Sequence, residues 1–130
     1  NETLKLQMYK KIAAIRTEEE ADELYDEMLD RFGDVPRETM NLVRISRIRS
    51  LAEDLSVVRI SEKGDKIIVQ FGEQNPLSGY ALFNVNEAFG LRAFVHGGKE
   101  PFIRISTKPM NKLEDCIRLL EILSQDKKSS

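Results

Sequence analysis

Apolar side chains recur every three or four residues through the first half of the chain, and this spacing predicts three amphipathic helices. The first helix covers residues 4–15, and its apolar face consists of Leu4, Met8, Ile12 and Ile15. A second helix is predicted to run to about Arg31. The residues expected to be buried on it are Ala21, Leu24, Met28 and Phe32. A third helix is predicted to continue to about Glu53. The apolar residues available for its buried face are Met40, Val43, Ile48, Leu51 and Leu55.

The ends of the second helix carry residues that favour helix caps. Thr17 and Glu20 form a capping-box pattern, in which the hydroxyl accepts a backbone N–H and the carboxylate reaches back to the N–H of Thr17. Gly33 suits the left-handed position that follows many helices. Pro36 suits the first turn of the third helix, because the N–H that proline lacks would be unpaired there.

After Ser56 the apolar period changes from helical to alternating, which predicts strands. Residues 58–61 and 66–71 are predicted to form a hairpin around Lys63-Gly64-Asp65. Asn75-Pro76 is expected to begin a helix over 77–89. A second hairpin is predicted from 91–95 and 102–106, and a last helix from Pro109 or Asn111. The apolar stripe of that helix is Leu113, Ile117, Leu120 and Leu123.

This order of elements predicts an α+β fold: three N-terminal helices, then a small, mostly antiparallel sheet of two hairpins with an intervening helix and a C-terminal helix packed on it. We expect residues 1–130 to form a single domain and a monomer, with a frayed tail at 126–130. The chain begins Asn1-Glu2-Thr3 and enters a helix at once, so we interpret it as a fragment of a longer protein.

The composition excludes several classes of protein. Lys plus Arg number 20 against 22 Asp plus Glu, for a net charge of −2, and 41% of residues are hydrophobic. These values argue against a strongly basic nucleic-acid domain and against a disordered chain. A single cysteine cannot form an internal disulfide, and neither a membrane-spanning run nor a signal peptide is recognisable. We therefore expect a cytoplasmic protein without a membrane partner.

Candidate catalytic groups are few. The phosphate-binding glycine motifs are absent, and one histidine with one cysteine cannot make a plausible zinc site. His96 sits beside Gly97-Gly98 at a predicted hairpin tip, where a surface histidine is favoured over a general base. Cys116 lies on the last amphipathic helix, where a core position is favoured over a nucleophile. We expect no catalysis, cofactor or metal in this fragment.

The near-neutral total conceals an uneven distribution of charge. Residues 1–35 contain five basic and ten acidic residues, a net of −5, which leaves +3 for the rest. Glu23, Glu27 and Asp30 fall on one face of the second helix, with Arg31 beside them. Such a run is usually a solvated face. The alternative is a docking surface for a basic patch, where complementary charge sets register and encounter rate.

The third helix is basic. Arg37, Arg44 and Arg47 share a broad face, and Arg49 lies nearby, so a contact with a phosphate backbone is conceivable. Aromatic residues that could stack on bases are missing from this helix, and arginine stems also cover apolar surface. We favour a structural role for these arginines.

A recognisable segment, EMLDRFGDVP, spans Glu27 to Pro36. It resembles the Glu-x-x-Asp-Arg-Phe-Gly-x-x-Pro segment of the C-terminal domain of the bacterial transcription-repair coupling factor. Two further segments, YKKIA at residues 9–13 and ISRIR at 45–49, resemble the first and third helices of that family. The resemblance covers about residues 2–125 and is strongest over 2–60.

The resemblance implies that the parent protein is an ATP-dependent DNA translocase, which pushes stalled RNA polymerase off damaged DNA and recruits nucleotide-excision repair. ATP and Mg would bind in upstream domains. The C-terminal domain is implied to be regulatory and to pack on an N-terminal repair-nuclease-like module of the same chain. There it would mask the surface that recruits the damage-recognition ATPase of excision repair. RNA polymerase and duplex DNA would be partners of the parent.

By the same resemblance, the inter-domain docking residues are Glu27, Asp30 and Arg31, with Glu23 on the same face. Phe32, Gly33 and Pro36 are expected to serve the fold as a buried anchor, a helix stop and a helix start. These implications favour an autoinhibitory docking domain over a solvated face. The alternative is an accessory nucleic-acid-binding or RNA-polymerase-contacting domain of a helicase-like protein.

Overall fold

The computed structural model describes residues 2–129, without the side chains of 126–129. The predicted frayed tail at 126–130 covers Ser130, which lies outside the described residues, and the four residues whose side chains are not described, so it stays a prediction. Three helices come first: α1 (Glu2–Ala13), α2 (Glu18–Phe32) and α3 (Arg37–Asp54). The strands and helices that follow are β1 (Val57–Lys63), β2 (Lys66–Phe71), α4 (Gly79–Phe89), β3 (Ala93–His96), β4 (Phe102–Ser106) and α5 (Lys112–Ser129). The α+β prediction is confirmed, with every predicted helix and strand present.

The chain forms two compact units, Asn1–Ser50 and Leu51–Ser130. We call them the helical unit and the sheet unit and describe each by itself. The prediction that residues 1–130 form a single domain stays a prediction.

The helical unit is built around a small apolar core. Its buried residues come from α1, the loop after it, α2 and α3: Met8, Ile12, Ile15, Leu24, Met28 and Val43. Ala21 and Val35 pack against this cluster while remaining partly exposed. The core agrees with the helical periodicity in the sequence except at Phe32, which is 48% exposed. The prediction that α2 buries Phe32 is therefore wrong.

The caps of α2 follow the sequence closely. The backbone N–H of Glu20 donates to the Thr17 hydroxyl at 3.1 Å, as predicted. The Glu20 carboxylate does not close the capping box in the expected way: it accepts from the Thr17 hydroxyl at 3.3 Å. Gly33 ends the helix with φ +75°, and its N–H donates to the Leu29 carbonyl at 2.8 Å. A side chain with a Cβ would be strained in this left-handed conformation.

The sheet unit contains one four-stranded sheet in the order β1-β2-β4-β3, and all of its pairs are antiparallel. Lys63 pairs with Lys66 around Gly64-Asp65, which confirms the first predicted hairpin. The second hairpin pairs Ala93 with Ile105 and His96 with Phe102.

Two boundaries in this unit differ from the sequence prediction. Ser78, rather than Asn75, caps α4, because its side chain accepts the N–H of Ala81 at 3.0 Å. The Asn75 side chain instead accepts the N–H of Leu77 at 3.1 Å, which makes a local turn before the helix. Strand β3 begins at Ala93, since residues 90–92 form a short 3₁₀ turn.

The core of the sheet unit lies between one face of the sheet and the helices α4 and α5. The strands supply Ile67, Val69, Phe71, Ile103 and Ile105. The C-terminal helix supplies Cys116, Leu119, Leu120 and Leu123. Burial raises the pKa of the Cys116 thiol to about 12, so the thiol stays protonated near neutral pH. The predicted core position of Cys116 is confirmed.

Candidate docking face on the second helix

The candidate site is the acidic face of α2, defined as Glu23, Glu27, Asp30 and Arg31. Glu23, Asp30 and Arg31 are exposed, and Glu27 is half-buried. The face forms because Leu24 and Met28 bury the opposite side of the helix in the core of the helical unit. Helical periodicity then leaves residues 23, 27 and 30 pointing outward together.

Glu27 is engaged within the helical unit, which the sequence did not reveal. The Lys11 ammonium on α1 donates to both of its carboxylate oxygens, at 2.8 and 3.0 Å. The Arg31 guanidinium lies 3.8 Å from the same carboxylate, one turn along α2. The hydrogen bond from Lys11 lowers the pKa of Glu27 below its ordinary value, and the charges of Lys11 and Arg31 act in the same direction.

The other two carboxylates of the face differ from Glu27. Among residues 2–125, whose side chains the structure describes, Glu23 and Asp30 take part in no ion pair. Their negative charges are therefore available to an outside cation. Arg31 contributes a partly exposed guanidinium with donors left over after its weak contact with Glu27.

Beside the acidic face, a groove of about 380 Å³ runs between α1 and α2. Three carboxylates line it, from Glu20, Glu23 and Glu27, and the stem of Lys11 and the side chain of Leu24 complete it. Asp30 and Arg31 do not line this groove and lie further along the helix. The sequence assigns Glu20 only to the helix cap, because the groove that it also lines exists only where α1 packs beside α2.

A second groove, of about 390 Å³, lies at the far end of α2. It is mostly apolar, and its lining includes Tyr9, Met28, Phe32 and Pro36. Phe32 is thus part of an open apolar wall and not a buried anchor. It remains exposed because Gly33 ends the helix immediately after it, before the third helix could cover the ring.

Gly33 and Pro36 fix the turn between α2 and α3. Gly33 reverses the chain in its left-handed conformation, and α3 begins at Arg37. The N–H of Met40 donates to the Pro36 carbonyl at 3.0 Å, so proline opens the helix from the position just before its first residue.

The arginines of α3 are partly engaged inside the helical unit. Arg47 donates to the carbonyl of Arg16 at 3.3 Å, where Ser50 also donates at 2.9 Å. Arg44 donates to the Asn41 side chain at 3.0 Å. Arg37 and Arg49 are exposed. These bonds favour the structural role for two of the arginines: Arg47 ties α3 to the loop after α1, and Arg44 bonds along the surface of α3.

The remaining chemical groups form no further cluster in the described part of the chain. His96 is exposed at the end of β3, with its ring stacked on Phe102 at a centroid distance of 5.0 Å. Over residues 2–125, where side chains are described, no group of three or more His, Cys, Asp or Glu could hold a metal ion. None of the described helices is both long and apolar enough to cross a membrane.

The Lys11–Glu27 pair predicts a specific dependence of stability on pH. Because the folded-state pKa of Glu27 is lowered, the stabilisation is fully present above the ordinary value of 4.5 and is lost as pH falls through the folded-state pKa. We expect Glu27→Gln to reduce the difference between urea midpoints measured at about pH 7 and about pH 3. Glu23→Gln is the matched control and should leave that difference unchanged. Equal changes in both variants would contradict the pairing.

Comparison with known proteins places the chain in a family. The family model named TRCF domain matches residues 1–82. The Staphylococcus haemolyticus transcription-repair-coupling factor is 32% identical over 127 residues, covering 93% of this chain and 11% of that protein. The Bacillus subtilis factor is 30% identical over 132 residues, covering 97% of this chain and 11% of that protein. The chain thus spans about a tenth of the length of these curated relatives.

The fold agrees with this match. A crystal structure described as the C-terminal domain of transcription-repair coupling factor superposes with a TM-score of 0.86 at 26% identity, covering 100% of this chain and 84% of that one. The resemblance noted for residues 27–36 is confirmed, and with it the association with transcription-coupled DNA repair. The chain belongs to the TRCF domain family, as a C-terminal domain of the transcription-repair coupling factor type.

Proposed function

We propose that this domain is a regulatory docking module. Its acidic face on α2 binds the N-terminal repair-nuclease-like module of the same parent chain, and this contact masks the surface that recruits the damage-recognition ATPase of excision repair. The observation that carries the proposal is the groove between α1 and α2, in which three carboxylates face a single ammonium. A cationic side chain from a partner would balance this excess of negative charge.

The three outward charges would act differently in the contact. Glu23 lines the groove and has no ion-pair partner within residues 2–125, so it would receive the inserted lysine or arginine directly. Asp30, two turns further along α2, would receive a second basic group. Arg31 would offer its forked guanidinium to a carboxylate of the partner.

Glu27 would support the contact through its effect on the neighbouring side chains as well as through its charge. Its bond to Lys11 holds α1 beside α2, and its proximity to Arg31 limits where that guanidinium points. Glu27, one of the docking residues that the family resemblance implies, therefore contributes both to the local fold and to the charge of the groove. Replacing it alters both at once, so Glu23 and Asp30 give the cleaner test.

A contact of this kind suits a clamp that opens and closes. Exposed ion pairs each contribute only about 0–1 kcal/mol, and salt screens them. The sum of a few such pairs across a small inter-domain interface is easily reversed by a competing partner. Charge complementarity would set which surface of the N-terminal module is masked.

The rest of the function belongs to the parent chain. By family membership we propose that upstream domains carry the ATP- and Mg-dependent DNA translocase, and that RNA polymerase and duplex DNA are contacted through them. This fragment would be non-catalytic and cofactor-free. Because the relatives are bacterial factors of transcription-coupled repair, we place the parent in the bacterial cytoplasm.

The test is the affinity of this domain for the separately produced N-terminal module, measured by calorimetry at low and moderate salt. Glu23→Lys with Asp30→Lys is expected to weaken binding about tenfold or more, most strongly at low salt, because two attractive charges become repulsive. Glu73→Lys with Glu87→Lys makes the same change in net charge at exposed positions of the sheet unit and should retain binding. Equal affinities for the α2 variant and the control would contradict the proposal.

A further inference from the structure

The sheet unit has an open face that the docking proposal does not use. Directly paired residues share a side of a sheet, and the pairs that include Ile67, Val69, Ile103 and Ile105 point into the core. The alternate positions point the other way, and every side chain there is exposed or half-buried. We call this surface the open face. It spans all four strands.

Three aromatic rings lie together on the open face. Phe102 is on the central strand β4, and His96 pairs with it from β3, with the two rings stacked at 5.0 Å between centroids. Phe94, also on β3, lies 6.2 Å from Phe102 and is 47% exposed. The planes of Phe94 and Phe102 are inclined by 39° and those of His96 and Phe102 by 19°, so the rings form an uneven aromatic patch rather than a flat surface. Other flat groups can stack on its outer ring faces, because an apolar ring is costly to leave in water.

Four cations lie on the same face of the sheet as the aromatic patch. Arg104, paired directly with Phe94, lies over its ring at 4.6 Å. Arg59, Lys63 and Lys66 occupy the same face on β1 and β2. In the described strands, no Asp or Glu points to this face, because Glu62 pairs with the buried Ile67 on the other side. Lys66 has an ion pair with Asp65 in the adjoining turn, at 3.2 Å. The face therefore has a positive charge.

We propose that the open face is a binding site for single-stranded RNA. Unpaired bases stack on the rings of Phe94, His96 and Phe102, and the phosphates between them lie against the guanidinium and ammonium groups. The positive charge of the open face repels basic partners and attracts anionic ones, and the exposed rings favour a partner with flat aromatic groups. A single strand of RNA has both properties, because it carries aromatic bases on an anionic backbone. A duplex does not, since its bases are already stacked on one another.

The polar residues among the rings and cations favour RNA over DNA. Ser61, Gln70 and Ser106 are half-buried on the open face. Their side chains make no hydrogen bond with another residue in the range 2–125. Hydroxyl and amide groups both donate and accept, as a ribose 2′-hydroxyl does. RNA supplies such a group at each nucleotide, and DNA does not.

The site is separate from the arginines of α3, which the sequence had suggested for phosphate contact. Those belong to the helical unit, where Arg44 and Arg47 already donate to protein acceptors. The open face combines rings with cations, which α3 does not. A domain with a net charge of −2 can bind a polyanion in this way, because the positive charge is concentrated on the open face.

The experiment measures fluorescence anisotropy of a labelled twelve-nucleotide poly(U) RNA titrated with the 130-residue chain at low salt. Binding is expected, with affinity falling steeply as salt rises. Phe94→Ala should weaken it about fivefold or more, as loss of one stacked base would. Arg59→Gln should weaken it and lower the salt slope by about one. The deoxy oligonucleotide poly(dT) should bind several-fold more weakly, and a duplex RNA more weakly still.

Matched variants keep the outcome unambiguous. Phe83→Ala removes an exposed phenylalanine from α4, and Arg49→Gln removes an exposed arginine from α3; both should retain full affinity. Circular dichroism confirms that each variant is folded. The proposal is overturned if the RNA fails to bind at low salt, or if Phe94→Ala and Arg59→Gln bind as the native chain does. It is equally overturned if poly(dT) binds as tightly as poly(U), or if Arg49→Gln abolishes binding.

Discussion

Replacing Leu120 with alanine is expected to lower the free energy of unfolding by about 2–5 kcal/mol. Leu120 is fully buried on α5, at 0% exposure, beside Leu119 and Leu123. Removing its three terminal carbons loses their transfer free energy and leaves a cavity that the surrounding strands and helices cannot fully close. Urea unfolding followed by circular dichroism measures the effect as a lower midpoint with an unchanged slope.

Leu91→Ala is the matched control for this prediction. Leu91 is fully exposed in the turn before β3, so the same substitution removes no buried contact and should change the unfolding free energy by less than about 0.5 kcal/mol. Similar losses in the two variants would mean that α5 does not pack on the sheet as described.

Met28→Ala is expected to have an effect of similar size in the helical unit, about 2–5 kcal/mol. Met28 is 2% exposed and is one of only six buried apolar residues in that core. The free energy of unfolding of so small a unit is low, so we expect this loss to leave a large fraction of the molecules with the helical unit unfolded. Hydrogen exchange of amides in α1 and α2 should accelerate accordingly.

Met110→Ala provides the same substitution at a residue that is 71% exposed. In the Met110→Ala variant, hydrogen exchange of the amides in α1 and α2 should match that of the native chain. Because the acidic face lies on the outer side of the helix that Met28 anchors, Met28→Ala should also weaken docking. Unchanged exchange in Met28→Ala would contradict the core assigned to the helical unit.

Much of the fold could be predicted from local patterns. The capping threonine, the glycine that ends α2 and the two-residue turn at Gly64-Asp65 each act through neighbouring backbone groups, so the sequence alone places them. The stripe predicted for α5 was right in part: Leu120 and Leu123 are buried, whereas Leu113 and Ile117 are half-buried and the buried Leu119 was not predicted.

Features that depend on distant packing were missed. Phe32 was expected in the core because it continues the apolar period of α2, yet the helix ends at that residue. The partner of Glu27 is Lys11, sixteen positions away on another helix, and no pattern within α2 indicates it. One miss was local: Asn75-Pro76 looked like a helix cap, but the side chain of Ser78 accepts the N–H of Ala81 in the first turn of α4.

The candidate site, like the fold, could be predicted where it depends on local patterns and not where it depends on distant packing. Periodicity brought Glu23, Glu27 and Asp30 to one face of α2, and the structure retains that face. Recognising the groove required the position of α1, since Lys11 and Glu20 complete its lining. The rings of the open face were not noticed in the sequence, because Phe94 and Phe102 come together only through the register of β3 with β4.

The central claim is that the acidic face masks a recruitment surface, and the most direct measurement uses the full-length parent chain. Its affinity for the damage-recognition ATPase should rise about tenfold or more with Glu23→Lys and Asp30→Lys, since a masked chain binds only through its rarely open fraction. The control Glu73→Lys with Glu87→Lys should bind as the native chain does. An affinity that the α2 substitutions leave unchanged would contradict the claim.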